Sequence, residues 1–223
     1  MGERDKARAL VLKATELAPA NPATWFAQGT ILQGLQDVKG ALVAHEKALA
    51  LNPKHVDARV ARVTLLIGLN REKEAEQELA TLKGWGVVEP RASYLRGMLA
   101  GRRGDTATAT AAYRETVGLI DSITPGVLAG NEPLLMTGAL AHRALGNASK
   151  AREYLETLVA RNGRHNTAQG MLASIYVEAK DYSRALPLLE GLQRVAPDDP
   201  HTLFLLGTVQ MARKRYAQAN ELF

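Results

Sequence analysis

The chain has 223 residues, a formal net charge of +5, no cysteine, and a composition that is 46% hydrophobic but only 5% aromatic. The absence of thiols excludes disulfides, thiolate metal sites and cysteine nucleophiles, and no apolar run approaches the roughly 18 residues of a membrane span. No charged–apolar–small leader opens the sequence. The densest basic spots, Arg102-Arg103 and Arg213-Lys214-Arg215, lie beside turns rather than along a helix face, so no stripe tracks a phosphate backbone and no nucleic-acid partner is expected.

Taken in chain order, the apolar periodicity predicts helices throughout and no strand. The first covers 4–17 and stops before Pro19. Asn21-Pro22 opens a helix over 22–34, Gln36-Asp37 turns the chain, and a helix over 38–51 ends at Leu51-Asn52-Pro53. Helices over 56–69 and 72–82 follow, joined at Arg71-Glu72. Gly84-Trp85-Gly86 lacks the strand-to-helix context of a phosphate loop and reads as a turn. Glu89-Pro90 opens 90–102, and Gly104-Asp105 leads into 106–120. After a linker over 121–132 come 132–145, the turn Gly146-Asn147, and 148–161, stopped by Asn162-Gly163. Then follow 166–179, Lys180-Asp181, 182–195, Asp199-Pro200, 200–213, Lys214-Arg215 and 216–223. Proline at a first helical position loses nothing, because its missing N–H would be unbonded there anyway. Pro187 is awkward, and a cap at Ser183 would place it near the end of the first turn, where distortion is tolerable.

The helices come in a repeating pair. Alanine recurs at Ala7, Ala41, Ala75, Ala109, Ala151, Ala185 and Ala219, at intervals of 34 residues except for one of 42 that contains the linker. Twelve positions before each anchor from Ala41 onward stand Gly29, Val63, Gly97, Ala139, Ala173 and Gly207. Four after stand Val11, His45, Leu79, Tyr113, Leu155, Leu189 and Phe223. Two helices cross closely only where one presents Gly or Ala, and the bulky residue fills the space beside the crossing.

This pattern resembles the tetratricopeptide repeat. The fullest unit runs from Pro22 to His55 and carries Trp25, Gly29, Ala41, Ala48 and Leu51-Asn52-Pro53. Arg62 and Val63 depart from the Leu-Gly of the pattern, which predicts a looser crossing there. The resemblance implies an all-α fold, a right-handed α-solenoid of antiparallel helix pairs that binds protein and catalyses nothing. Its units fall at 22–55, 56–89, 90–123, 132–165, 166–199 and 200–223, after a second helix over 4–19. Because the chain opens and closes within second helices, we read it as one array cut from a longer chain, with Met1-Gly2 a cloning addition. The open ends of such an array can also pair with a second copy.

Two stretches, Glu89 to Arg96 and Ile120 to Ala129, are similar to the tetratricopeptide lipoproteins encoded with PEP-CTERM/exosortase sorting systems in Gram-negative bacteria. That resemblance implies a periplasmic or envelope protein serving exopolysaccharide export and protein sorting. It would be lipid-anchored through a cysteine outside this stretch. An alternative is a cytoplasmic, substrate-selecting arm of an enzyme such as a glycosyltransferase, with the catalytic domain elsewhere.

In this repeat class the first helices line the concave face. Counting fifteen, eleven and eight positions before each anchor gives three sets of lining residues. They are Phe26, Val60, Tyr94, Met136, Gly170 and Phe204; then Thr30, Thr64, Met98, Leu140, Ser174 and Thr208; then Gln33, Ile67, Gly101, Arg143, Val177 and Met211. Arg102 and Glu178 fall at the edge. We select Phe26, Thr30, Val60, Ile67, Tyr94, Met98, Arg102, Met136, Leu140, Arg143, Val177, Phe204 and Met211 as the candidate peptide-binding set, since apolar anchors among hydroxyls suit a peptide. Repeats that clamp a C-terminal carboxylate carry Lys and Asn where this chain has Phe26, Thr30 and Ala61, so a clamp of that kind is not expected. The five histidines form no metal-ligand spacing and no cofactor is expected: His45 and His142 occupy packing slots, and His55, His165 and His201 stand at unit junctions.

Overall fold

The computed structural model describes residues 2–223, so Met1 lies outside the described residues. Among them the regular structure is helical throughout. The helices are α1 (Glu3–Leu17), α2 (Pro22–Gly34), α3 (Val38–Leu51), α4 (Val56–Gly68), α5 (Glu72–Gly84), α6 (Pro90–Arg102), α7 (Thr106–Asp121), α8 (Pro125–Ala129), α9 (Glu132–Ala144), α10 (Ala148–Arg161), α11 (Asn166–Glu178), α12 (Tyr182–Val195), α13 (Pro200–Ala212) and α14 (Tyr216–Leu222). The chain forms two compact units, one running to Ala109 and the other from Thr110, with the division inside α7.

Helix starts follow from side chains that take up orphan N–H groups. Asp37 accepts from the Gly40 amide at 2.9 Å, Asn131 from Leu134 at 3.1 Å, and Asp199 from Thr202 at 2.8 Å. The junction histidines do the same work: Nδ1 of His55 accepts from the Ala58 amide at 3.3 Å, and that of His165 from Ala168 at 3.2 Å. Asp181, not Ser183, caps α12, accepting from the Arg184 amide at 3.2 Å. Pro187 therefore stands at the sixth helical position, past the first turn. Each turn inside a helix pair carries one residue with positive φ, five positions before the anchor alanine: Gln36, Asn70, Gly104, Gly146, Lys180 and Lys214. Glycine takes that left-handed conformation freely at Gly104 and Gly146; Gln36, Lys180 and Lys214 hold it against the Cβ penalty.

In the first unit the helices from α1 to α6 each pack on the next in sequence, and in addition α2 touches α4 and α4 touches α6. Val63, Leu66, Leu79, Leu82, Leu95 and Leu99 form its principal core. The Val63 that replaces glycine is fully buried beside Leu79, so two medium aliphatic side chains fill the place taken elsewhere by a glycine and a ring. In the second unit α9 through α14 stack in the same way, with α11 touching α13. Leu135, Leu155, Leu172, Leu189, Leu206 and Val209 are central to its core.

The anchor alanines from Ala41 to Ala219 are buried. Ala7 is half-buried, because among the described residues no helix precedes α1. The linker contains a helix that the periodicity did not announce. Thr124-Pro125 starts α8, which packs on α9 through the buried Leu128. Five residues including Gly126 have little helical preference of their own, and the apolar contact holds them.

Candidate interaction site

The first helices of the first unit distribute the selected residues unequally. Phe26 is half-buried, its ring 5.7 Å from that of His45 and 5.0 Å from that of His55. Thr30 is exposed and donates its hydroxyl to the Phe26 carbonyl at 3.0 Å. Tyr94 and Met98 rest on the core with one side open. Val60 and Ile67 are corrections to the candidate set. At 4% and 2% exposed they belong to the core, because α4 is flanked by both α2 and α6. Arg102 reaches back one repeat, donating to the Ile67 carbonyl at 3.2 Å and approaching Glu72 at 3.3 Å.

In the second unit Met136 and Val177 lean on the core, Leu140 is half-buried, and Arg143 bridges to Glu178 at 2.7 Å. Phe204 and Met211 are open, at 58% and 47% exposed. Between α11 and α13, floored by the end of α12, lies a cavity of about 490 Å³. Gly170, Met171, Ser174, Leu192, Val195 and His201 are among the residues that line it. The selected set contained only Arg143 of this lining. The signal available in the sequence was Gly170, the one glycine in a slot otherwise filled by bulky apolar residues.

A polar cluster closes the inserted segment. The Asp121 carboxylate accepts from the Tyr154 hydroxyl and lies 3.1 Å from Nε2 of His142. The Tyr154 ring stands edge-on to His142 at 5.5 Å, and burial followed by the hydrogen bond to Asp121 pushes its hydroxyl pKa up. These contacts tie the end of α7 to α9 and α10. Among the described residues no three His, Asp or Glu side chains converge as metal ligands, and no helix is long and apolar enough to cross a membrane.

Family models described as tetratricopeptide repeat match residues 32–99 and, in two overlapping placements, 136–200 and 171–223. The chain belongs to the tetratricopeptide repeat family. Its helix pairs are those of the family's all-α solenoid, a scaffold for protein–protein interaction and typically not catalytic. A curated relative, cellulose synthase 2 operon protein C of Komagataeibacter xylinus, is 32% identical over 188 residues. That match covers 82% of this chain and 13% of the relative, so the chain spans a small fraction of that protein's length. Pseudomonas aeruginosa PilF shares the fold at 15% identity with a TM-score of 0.59, over 99% of this chain and 90% of that one. Human IFIT1, solved as a dimer with m7Gppp-AAAA, does so at 17% identity with a TM-score of 0.70, over 98% of this chain and 53% of that one. At these identities the two structures speak to the tetratricopeptide fold alone.

Proposed function

We propose that the chain is an interaction scaffold that holds an extended peptide or protein segment across its first helices, within the bacterial machinery for exopolysaccharide export and protein sorting. The observation that carries this reading is that first-helix slots inside each unit stay partly open, Tyr94 and Met98 on α6 and Met136 and Leu140 on α9 being half-buried. Apolar side chains left open at repeating slots meet successive parts of one ligand, and modest contacts add along its length. The name of the curated relative supports the exopolysaccharide setting. A periplasmic or envelope location, with a lipid anchor outside this stretch, goes with that setting.

The test is a pulldown of envelope proteins with the wild-type protein and a Tyr94→Ala/Arg143→Ala variant whose fold is checked by circular dichroism. The variant should lose its partners, because it removes an aromatic contact and a hydrogen-bonding cation from the first helices. Retention of every partner, together with loss on reversing second-helix charges such as Lys47 and Arg152, would move the binding surface to the other face.

A further inference from the structure

One first-helix slot, fifteen positions before the anchor alanine, holds Phe26, Val60, Tyr94, Met136, Gly170 and Phe204 in successive units. Five of the six are bulky and apolar. On α11 the slot holds only a hydrogen, and there the second unit has a cavity of about 490 Å³, inside the range of roughly 300–1,000 Å³ typical of ligand sites.

Close packing does not require this glycine. A Cβ on Gly170 would meet its nearest neighbour, Cδ1 of Leu192, at 3.8 Å, an ordinary contact. Glycine inside a helix weakens it, and the gain is open space over an apolar floor of Met171, Leu192 and Val195. The rim is polar but electrically committed. Arg143, the one permanent cation lining the cavity, is paired with Glu178 at 2.7 Å. The Asp199 carboxylate accepts from the amide and hydroxyl of Thr202 at 2.8 and 2.6 Å, which hold its pKa below the ordinary carboxylate range. Ser174 and His201 lie 3.2 Å apart in a mutual hydrogen bond.

A phosphate backbone or an acidic glycan would meet no uncompensated cation here, and a lipid chain would meet polar groups at the mouth. An uncharged side chain flanked by peptide groups suits both floor and rim, since the hydroxyl of Thr167 and the amide of Asn166 can exchange hydrogen bonds with a backbone. We propose that Gly170 opens a specificity pocket that takes one large apolar side chain (Leu, Met or Phe) of an extended peptide. This rests on the peptide-binding reading above and adds to it the chemistry of the anchor residue.

Phage-displayed random peptides selected on the wild-type protein test the pocket. Their affinities are then measured against Gly170→Leu, which fills the space, and Gly118→Leu, which adds the same side chain at an exposed glycine with open surroundings. The selected peptides should share a large apolar residue. Its replacement by serine, and Gly170→Leu, should each weaken binding by about tenfold or more, as expected for one buried apolar side chain. The two losses should not add, because both delete the same contact. Gly170→Ala, which adds a methyl at an ordinary contact distance, should fold and give a smaller loss if Gly170→Leu proves unstable. Peptides that bind Gly170→Leu as tightly as wild type, or that carry acidic residues and no apolar one, overturn the pocket while leaving a peptide-binding scaffold in place. Failure to select any peptide overturns both.

Discussion

The imidazole of His45 lies against the bare Cα of Gly29. A Cβ on that glycine would stand 2.5, 2.6 and 2.8 Å from three of the ring atoms. The same relation joins Gly138 to Tyr154 and Gly207 to Phe223, each with a nearest approach of 2.6 Å and each sixteen positions apart. In the first of these pairs the bare position is Gly138, immediately before Ala139, the residue that the repeat register had assigned.

Gly29→Ala should therefore destabilise the protein by roughly 1–3 kcal/mol, because the added methyl overlaps a fully buried ring. Gly118→Ala, on the exposed side of α7 with nothing within 4 Å, should instead stabilise by about 0.5–1 kcal/mol through helix propensity. Urea denaturation of the two variants should give midpoints on opposite sides of wild type.

His45 also predicts a pH dependence. Both ring nitrogens are buried without a hydrogen-bond partner, and burial, with the charge of His55 second, lowers the pKa from 6.5 to about 4. The unfolded chain takes up this proton near pH 6.5 and the folded one only near pH 4. The contribution of a neutral His45 is thus complete above pH 6.5 and is lost as the pH falls towards 4, by about 3 kcal/mol at most. His45→Phe, which reproduces the Gly207–Phe223 pair, should flatten this slope and raise stability at pH 7 by about 1 kcal/mol. Denaturation midpoints at pH 7 and 4.5 would show it, and an unchanged slope in the variant would assign the effect to another group.

Ala185 is fully buried where α12 meets its neighbours. Ala185→Phe should overpack that crossing and cost roughly 1–3 kcal/mol, mostly within its own and adjacent repeats. Hydrogen exchange should show faster opening in α11 to α13 with little change in α2 to α5. Uniform loss of protection would mean that the repeats open together.

Pro187 leaves the Ser183 carbonyl without its helical donor and crowds it with the ring. The side chain is exposed, so no core contact depends on it. Pro187→Ala should raise stability by about 1–2 kcal/mol, after allowing for the greater freedom it restores to the unfolded chain. A thermal melt that stays put or falls would show that the ring has a partner of its own.

Lys180 has φ of 60°, in the slot where two other turns use glycine. Lys180→Gly should relieve some of the left-handed penalty and stabilise by about 0.5–1 kcal/mol, net of unfolded-state entropy. The same change at Lys47, an exposed residue in the body of α3, should destabilise by a similar amount, about 0.5–1 kcal/mol, which separates the turn effect from loss of charge.

The helix pairs, their turns and their anchors were legible in the sequence because each is written locally. Asp37, Asn131 and Asp199 start helices through contacts within three residues, and the alanine anchors repeat because every crossing needs a small side chain. The helix α8 was not legible, since its hold is Leu128 in a core assembled from distant residues. Val60 and Ile67 occupy the same slots as Phe204 and Met211, yet two are buried and two open, according to how far neighbouring helices cover them. Two glycines on first helices make the point most plainly. The nearest atom to a Cβ would be 2.5 Å away at Gly29 and 3.8 Å away at Gly170, so one admits a ring and the other leaves a cavity. By itself the sequence determined that a side chain was missing at both positions. Only the packing of the next helix decided whether that absence became a contact or a pocket, because the distance is set by side chains that lie far along the chain.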